Sequence, residues 1–207
     1  MKWIKELIDH YPMLSVCVDD IEQAYLLLET TFKSGGKLLI CGNGGSAADA
    51  SHMVGELMKG FVKNRKLEKD AITCEKLNQE DRAYLMDNLQ NALPAISLTG
   101  EDALITAYMN DAAPDMIYAQ QIWGYGQEGD LLVAMTTSGN SENVIRAVQA
   151  AAAKGMKILS LTGYGGGRLK ELADVCICVP ETQTYRIQEL HLPVYHTLCL
   201  MAEEHFF

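Results

Sequence analysis

The chain lacks features that several common protein classes require, beginning with closely spaced cysteines. Its six cysteines never form a CxxC motif, which excludes zinc ribbons and thioredoxin-like redox sites. Two of them alternate with apolar residues in VCICV (175–179), a pattern that indicates core thiols rather than metal ligands or disulfide partners. The full set is Cys17, Cys41, Cys74, Cys176, Cys178 and Cys199. We expect most of them to pack as small buried hydrophobic side chains.

Long apolar runs and an excess of positive charge are also missing. No run is long enough to span a bilayer, and the start, MKWIKELIDHYP, has no apolar core followed by a small-residue cleavage site. We therefore expect a cytoplasmic protein without a membrane partner. The 17 Lys and Arg are outnumbered by 27 Asp and Glu, for a formal net charge of −10. This balance argues against sequence-independent binding of nucleic acid, although local amides and hydroxyls can still hold a small anion.

What is present is an alternation of strand-like and helix-like segments. Short apolar runs predict strands at 37–41, 94–98, 130–135, 156–163 and 175–179. Helical periodicity follows several of these strands, forms an N-terminal extension within 1–35, and returns in a long C-terminal helix from 186 onward. The alternation predicts a three-layer α/β/α fold with a doubly wound parallel sheet. A length of 207 residues suits one such domain, spanning 1–207, and is too short for two.

The segment 66–94 interrupts this alternation. It is charged and contains no strand-like run, although residues 81–89 can form one amphipathic helix. A connection of this length is atypical between a helix and the next strand of such a fold. We interpret the segment as a surface insertion, with a role as a lid or an interface as the alternative.

A candidate anion site follows the third predicted strand. In DLLVAMTTSGNSENVIRA (130–147) a buried strand leads into a hydroxyl-rich glycine turn and then a helix that begins near Ser141. The first N–H groups of that helix and the hydroxyls of the turn converge where the helix macrodipole favours an anion. The pattern predicts a phosphate site. Because Ser, Thr and Asn also cap helices, an ordinary capped turn is the alternative.

A second polar turn, CGNGGS at 41–46, follows the first predicted strand. It lacks the spacing of a dinucleotide-binding fingerprint and the Lys of a P-loop, so nucleotide binding is not expected. Its glycines let backbone amides approach a ligand closely, with a plain tight turn as the alternative. Ligands of open parallel sheets bind beyond the carboxyl ends of the strands, so we expect both turns to face one crevice.

Two of the predicted helices carry histidines near polar partners. His52 and Glu56 are four residues apart, so they project from one helix face and can share a metal or a substrate, or simply a surface hydrogen bond. The last helix carries Gln188, His191 and His196 among apolar residues, where buried structural histidines are the alternative. Gln188 and His196 are separated by roughly 12 Å of helix rise. They can meet at one ion only if the helix start is irregular or if neighbouring subunits build the sites.

Several motifs occur together and in order: GNGGSAADASH, Asn110-Asp111, TTSGNSENVIRA, MKILSLTGYGGGRLKELADV and RIQELHLPVYH. Together they closely resemble the phosphoheptose isomerases of the sugar isomerase (SIS) family, from about residue 38 to 203 with an interruption across 66–95. The resemblance implies the five-stranded SIS fold and a homotetramer with sites at subunit interfaces. It also implies one zinc ion per subunit and the conversion of a sugar phosphate, sedoheptulose 7-phosphate, to D-glycero-D-manno-heptose 7-phosphate.

The resemblance assigns roles to particular positions of this sequence. The phosphate would be held by the hydroxyl turn, at Thr136, Thr137, Ser138 and Ser141. The sugar would contact Asn43, Gly44, Gly45, Ser46, Glu56, Asn110, Asp111 and Gln188. The zinc positions are His52, Glu56, Gln188 and His196, of which Glu56 is also the base and His196 the acid.

The chain also departs from the family pattern. Thr136 stands where Ser is usual, Tyr185 replaces a residue that is often small or acidic, and 66–95 is longer than usual. Two other functions are consistent with the fold. A non-catalytic SIS module that binds the bacterial replication initiator protein would lack part of the His, Glu, Gln and His set. This chain has all four residues, His52, Glu56, Gln188 and His196. A phosphosugar-sensing regulator would need a DNA-binding domain, for which the chain has no room.

Overall fold

The structure, a computed structural model, describes residues 2–207. Five parallel strands form one sheet: β1 (Leu38–Gly42), β2 (Ala95–Ser97), β3 (Leu131–Met135), β4 (Lys157–Thr162) and β5 (Val175–Cys178). Their order across the sheet is β2-β1-β3-β4-β5. All five lie at the positions that the apolar runs predict. From β1 the chain continues to β2 on one side, whereas β3, β4 and β5 follow on the other side of β1. The boundary between β1 and β3 is therefore the topological switch point, where ligands of doubly wound folds bind.

Helices connect and cover the strands. They are α1 (Lys2–His10), α2 (Val18–Lys33), α3 (Gly45–Met58), α4 (Gln79–Asn88), α5 (Asp102–Asp111), α6 (Ile117–Tyr125), α7 (Glu142–Ala153), α8 (Leu169–Leu172) and α9 (Thr184–Phe206), with 3₁₀ turns at Pro12–Cys17 and Pro114–Met116. Local patterns predict no element between β2 and β3, where α5 and α6 lie. Helix α5 buries no residue, so its apolar pattern is weak. None of the helices within 2–207 is both long and apolar enough to cross a bilayer.

The two faces of the sheet bury separate hydrophobic clusters. Alternate residues of β1 and β3 point to opposite sides, so Ile40 and Val133 join one cluster while Leu39 and Leu132 join the other. The first cluster packs against α1, α2, α3 and α9, and the second against α6, α7 and α8. Every residue of β1 and β3 is buried, as central strands of a covered sheet require. The predicted three-layer, doubly wound fold is confirmed.

The register of β1 and β3 brings the two polar turns together. Gly42, the last residue of β1, pairs with Met135, the last residue of β3. The glycine turn and the hydroxyl turn therefore leave adjacent strands at the same edge of the sheet, and each opens a helix, α3 and α7.

The segment 66–94 forms a closed excursion on the surface. Its ends meet through an antiparallel bridge between Lys66 and Gln90, and Asn91 Nδ2 donates to the Lys66 carbonyl at 2.9 Å. The predicted single helix is present as α4, which buries no residue and is capped by the Asn78 side chain at the N–H of Asp81. The helix is therefore held by its local cap and not by a hydrophobic face.

The cysteines follow the sequence-based expectation only in part. Cys17, Cys41 and Cys199 are buried core thiols, whereas Cys74 is exposed. The expectation is wrong for Cys176 and Cys178, which are only half-buried. Strand β5 lies at the edge of the sheet, so the face that carries both thiols is incompletely covered. Position within the sheet is not encoded in the local alternation of VCICV.

Candidate functional site

The glycine turn and the hydroxyl turn enclose one polar cavity of about 370 Å³ at the carboxyl edge of the sheet. Its lining comprises both turns and the start of α9: Asn43, Gly44, Gly45, Ser46, Thr136, Thr137, Ser141, Thr184 and Gln188. The expected single crevice is therefore present. Most of the residues that the sequence assigned to phosphate and sugar contacts line it.

The glycine turn is shaped by two residues without side chains. Gly44 adopts φ 57°, a conformation that other residues rarely adopt, and it precedes the first turn of α3. At Gly45 a Cβ atom would lie 2.7 Å from the side chain of Gln188. The absence of that atom lets α9 approach α3, and it places the Gln188 amide directly against the turn.

Asn43 is held by a reciprocal amide pair. Its Nδ2 donates to Asn143 Oδ1, and Asn143 Nδ2 donates back to Asn43 Oδ1, both at 2.8 Å. Tyr118 adds a hydroxyl that donates to the Gly42 carbonyl at 2.6 Å. The amide pair links the start of α7 to the glycine turn, and Tyr118 links α6 to it, so the two walls of the cavity are held in one geometry. Neither Asn143 nor Tyr118 was predicted, although Asn143 lies within the quoted motif SENVIRA.

The hydroxyls of the second turn do not act as ordinary helix caps. Ser141 occupies the N-cap position of α7 but makes no capping hydrogen bond, and its Oγ instead lies 2.8 Å from Thr136 Oγ1. Ser138 is not among the lining residues, and its Oγ accepts a hydrogen bond from the N–H of Asn140 at 3.1 Å. Ser141 and Thr136 therefore remain at the cavity wall, whereas Ser138 stabilises the turn itself.

A cluster of aromatic and acidic side chains lies on the facing surfaces of α3 and α9. His52 Nε2 is 3.1 Å from Glu56 Oε1, and the Tyr195 hydroxyl is 3.0 Å from His52 Nδ1. The Tyr195 hydroxyl also donates to Asp49 Oδ1 at 3.2 Å. Tyr195 thus fixes the ring of His52 from the side opposite to Glu56. Tyr195 was not predicted, although it lies beside His196 in RIQELHLPVYH.

His196 completes this cluster. Its ring centroid lies 5.0 Å from that of His52 and 5.3 Å from that of Phe61. Its Nε2 is buried and has no hydrogen-bond partner within residues 2–207. Burial and the neighbouring His52 lower the pKa of His196, against an opposite effect of Glu56. The imidazole is therefore favoured in its neutral form, with a ring nitrogen free to bind a ligand.

Other predicted site residues do not meet within one chain. Helix α9 runs unbroken through Pro193, so Gln188 in the cavity and His196 in the cluster are separated by about 12 Å of helix rise. Asn110 and Asp111 are exposed at the end of α5, outside the cavity lining, where Asn110 Nδ2 donates to Asp111 Oδ1 at 2.8 Å. In the part of the chain that the structure describes, no three His, Cys, Asp or Glu side chains form a metal-binding group.

A buried ion pair supports the C-terminal end of α3. The side chains of Arg65 and Glu203 are 0% and 1% exposed, and Arg65 Nε donates to Glu203 Oε1 at 2.8 Å. Arg65 also donates to the carbonyls of Glu56 at 3.0 Å and Leu57 at 2.6 Å. The backbone that carries Glu56 is therefore tied to α9. No sequence signal identified this pair, because its members are 138 positions apart.

Comparison with known proteins gives a consistent result. The SIS domain family profile matches residues 13–91 and 85–163. A phosphoheptose isomerase from Rhodospirillum rubrum is 38% identical over 196 residues, which are 95% of this chain and 91% of the relative. Another from Thiobacillus denitrificans is 42% identical over 182 residues, which are 86% of this chain and 80% of the relative.

Solved structures agree with these matches. A phosphoheptose isomerase from Neisseria gonorrhoeae superimposes with a TM-score of 0.76 at 32% identity, over 97% of this chain and 95% of that one. The similarity covers nearly the whole chain. In sequence and in fold, this chain belongs to the phosphoheptose isomerases of the SIS domain family.

Proposed function

We propose that this protein catalyses an aldose–ketose isomerisation, the conversion of sedoheptulose 7-phosphate to D-glycero-D-manno-heptose 7-phosphate. The observation that carries the proposal is the joining of a hydroxyl-lined turn and a glycine turn in one cavity, near a cluster of His52, Glu56 and His196. The relatives that bear the name phosphoheptose isomerase disfavour the replication-initiator module and the phosphosugar sensor.

The two parts of the site suit the two ends of the substrate. Thr136, Thr137 and Ser141 present hydroxyls beside the start of α7, where the helix macrodipole favours an anion, and they would hold the phosphate with Ser138 shaping the turn. Asn43 to Ser46 and Gln188 would hold the sugar hydroxyls. Asn110 and Asp111 would reach the sugar only from another subunit or after a movement of α5.

The chemistry requires a base and an acid at the opposite end of the sugar. Isomerisation moves a proton between C1 and C2 of the open-chain sugar, while the oxygens gain and lose protons. Glu56 would remove the proton from one carbon and return it to the other. The N–H group of the neutral His196 ring would donate a proton to the oxygen on which negative charge develops. Tyr195, which donates to Asp49 and is hydrogen-bonded to His52, would hold the His52 ring in place.

We also propose one zinc ion per subunit. The donor types support this, because His196 Nε2 is buried without a partner among residues 2–207, its ring lies beside His52, and imidazole and carboxylate are common zinc ligands. As they stand in the described chain, His52, Glu56 and His196 do not yet form a metal-binding group. Gln188, about 12 Å away along α9, would serve as the fourth ligand only in a site that is shared between subunits. The ion would polarise the sugar carbonyl. Metal analysis of the purified protein tests this assignment.

A homotetramer would supply such a shared site. Large apolar side chains remain exposed near both ends of the chain, including Met13 at 51%, Val16 at 71% and Tyr185 at 56%. An exposed apolar surface of this kind favours association with further copies. A monomeric mass in light scattering would contradict this part of the proposal.

The substitution Glu56→Gln tests the catalytic assignment. It removes the base without changing the shape of the side chain, so we expect turnover of sedoheptulose 7-phosphate to fall by about 10²–10⁴-fold. Binding of the ketose phosphate, measured by calorimetry, should weaken far less than turnover, because the phosphate turn is untouched and only the contact of Glu56 at the other end of the sugar is altered. Product is measured by NMR against a panel of ketose phosphates of different chain length.

Glu75→Gln is the matched control, since Glu75 is an exposed carboxylate in the 66–94 segment. It should leave both activity and binding unchanged. Substantial residual activity in Glu56→Gln would show that Glu56 is not the base. Activity of the unaltered protein on shorter ketose phosphates alone would instead reject the heptose assignment.

A further inference from the structure

Tyr195 is a fully buried tyrosine of α9 whose hydroxyl meets two residues of α3. The hydroxyl donates to Asp49 Oδ1 at 3.2 Å and lies 3.0 Å from His52 Nδ1. The Tyr195 ring also packs edge-on against the rings of His52 and His196, with centroid distances of 5.7 and 5.0 Å. The position of the hydroxyl is therefore set by the packing of α9 on α3 and not by solvent.

The two hydrogen bonds of this hydroxyl have a definite direction. A tyrosine hydroxyl has one proton to donate, and an ionised carboxylate only accepts. The proton goes to Asp49, whose other oxygen, Oδ2, is buried without a partner within residues 2–207. The Tyr195 oxygen can then only accept a hydrogen bond from His52. The chain of hydrogen bonds thus places a proton on His52 Nδ1.

The consequence concerns the other ring nitrogen of His52. A neutral imidazole carries a single proton, so a proton on Nδ1 leaves a lone pair on Nε2. This Nε2 lies 3.1 Å from Glu56 Oε1. Two acceptor atoms at that distance need a proton or a metal ion to join them. Ligand atoms of a tetrahedral zinc ion, with bonds of about 2.0–2.1 Å, lie about 3.3 Å apart, which is close to the observed spacing.

We propose that Tyr195 and Asp49 are positioning residues that hold His52 with a proton on Nδ1, so that Nε2 is the nitrogen presented to a metal ion. The inference rests on the zinc site proposed above and extends it, because it assigns the coordinating nitrogen and the residues that select it. Neither positioning residue would touch the metal or the sugar. Hydrogen-bond partners of this kind orient a metal-bound histidine, and their loss typically weakens metal affinity about 10–100-fold.

Nitrogen chemical shifts test the tautomer in the unaltered protein. Long-range 1H–15N spectra of protein labelled at histidine are recorded with and without zinc, and the His52 signals are those absent from His52→Gln. We expect a protonated Nδ1 in both samples and a shift of Nε2 on addition of zinc. Coordination through Nδ1 would overturn the proposal. So would an unprotonated Nδ1 in the metal-free protein, which a protonated Asp49 would impose by reversing both hydrogen bonds.

The substitution Tyr195→Phe tests the positioning role. It removes the hydroxyl and keeps the buried ring, so we expect zinc affinity, measured by competition with a chelator, to fall about 10–100-fold. Tyr25→Phe is the matched control, because Tyr25 is also buried but lies on α2, where its hydroxyl interacts with Glu29 of the same helix. It should leave zinc affinity unchanged. Circular dichroism shows whether both variants are folded.

The outcomes separate this inference from the zinc site on which it rests. Equal zinc affinity in Tyr195→Phe and the unaltered protein would overturn the positioning role and leave the zinc site in place. An equal loss of affinity in Tyr25→Phe would also overturn it, because the effect would then come from any buried tyrosine hydroxyl. No zinc binding by the unaltered protein would instead reject the zinc site, and the positioning role with it.

Discussion

At the scale of single residues, the candidate site depends on glycines, which have no side chain, as much as on polar groups. Gly45 lets Gln188 lie against the glycine turn, and Gly139, at φ 68°, faces the Gly166 carbonyl where a Cβ would collide. Gly45 lines the cavity, whereas Gly139 shapes the hydroxyl turn that supplies the opposite wall. A side chain at Gly139 would collide with backbone, and one at Gly45 would displace the flexible end of Gln188.

The substitution Gly45→Ala, compared with a control on the same helix, tests whether the approach of Gln188 to the glycine turn matters for binding. The added Cβ would lie 2.7 Å from the end of the Gln188 side chain, so that amide must leave its present position against the turn. If Gln188 contacts the sugar, KM for the sugar phosphate should rise about tenfold, equivalent to one lost hydrogen bond. Steady-state kinetics measure KM.

Gly55→Ala is the matched control on the same helix. Nothing lies within 4 Å of the Cβ that this substitution adds. Alanine favours helix over glycine, so we expect a gain in unfolding free energy of about 0.5–1 kcal/mol and an unchanged KM. Equal KM values in the two variants would indicate that Gln188 has no part in binding.

At the scale of secondary-structure elements, α9 links three regions of the molecule. It presents Gln188 to the polar cavity, His196 to the cluster on α3, and Glu203 to the residues that follow α3. The Glu203 carboxylate accepts hydrogen bonds from the N–H groups of Phe61, Val62 and Lys63 as well as from Arg65. Phe61 in turn packs on His196, so the far end of α9 shapes the cluster.

We expect Glu203→Gln to destabilise the protein by about 3–5 kcal/mol, because it leaves the Arg65 charge buried without its partner. Burial alone would raise the pKa of Glu203, but the three backbone donors and Arg65 outweigh it and lower that pKa. Urea unfolding monitored by circular dichroism measures the change.

Glu204→Gln, at an exposed position of the same helix, is the control and should stay within about 0.5 kcal/mol of the unaltered protein. A comparable loss in both variants would point to a general effect of charge at the end of α9 and not to the buried pair.

At the scale of the whole molecule, stability should depend on pH through a buried histidine. His191 is 0% exposed, its Nε2 lies 3.2 Å from the Thr162 carbonyl, and its Nδ1 has no partner in the described chain. Burial lowers the pKa of His191 to about 4, against the effect of that hydrogen bond. The fold therefore requires the neutral ring, which joins α9 to the end of β4.

The direction of the pH effect follows from the lowered pKa. Above the unfolded pKa of about 6.5 the ring is neutral in both states, and His191 contributes its full share of stability. As pH falls from about 6.5 to 4, the unfolded chain takes up a proton that the folded chain resists. The unfolding free energy should fall by up to about 3 kcal/mol over this interval.

Urea unfolding of the unaltered protein and of His191→Gln at several pH values isolates this contribution. The difference between the two proteins should shrink as pH falls from about 6.5 to 4, because only the first carries the titrating ring. His10→Gln, at an exposed position on α1, should leave the profile unchanged. A constant difference across the interval would assign the acid sensitivity to other groups.

Local patterns were sufficient for most elements of the fold. The continuous apolar runs at β1 and β3 predict fully covered strands, and both strands are buried at every residue. The two polar turns and the separation of Gln188 from His196 also follow from the sequence, because turn chemistry and helix rise are local properties. Helix α5 escaped prediction because it lacks a buried stripe.

The sequence by itself therefore determined the succession of strands and helices along the chain and the residue types of the site. Through resemblance it also determined the family. Only the tertiary structure decided which distant residues meet: Asn43 with Asn143, His52 with Tyr195, and Arg65 with Glu203. It also decided that the β5 thiols lie at a sheet edge and not in the core. The physical reason is that local periodicity specifies which face of an element is apolar, whereas strand order and helix packing specify what that face contacts.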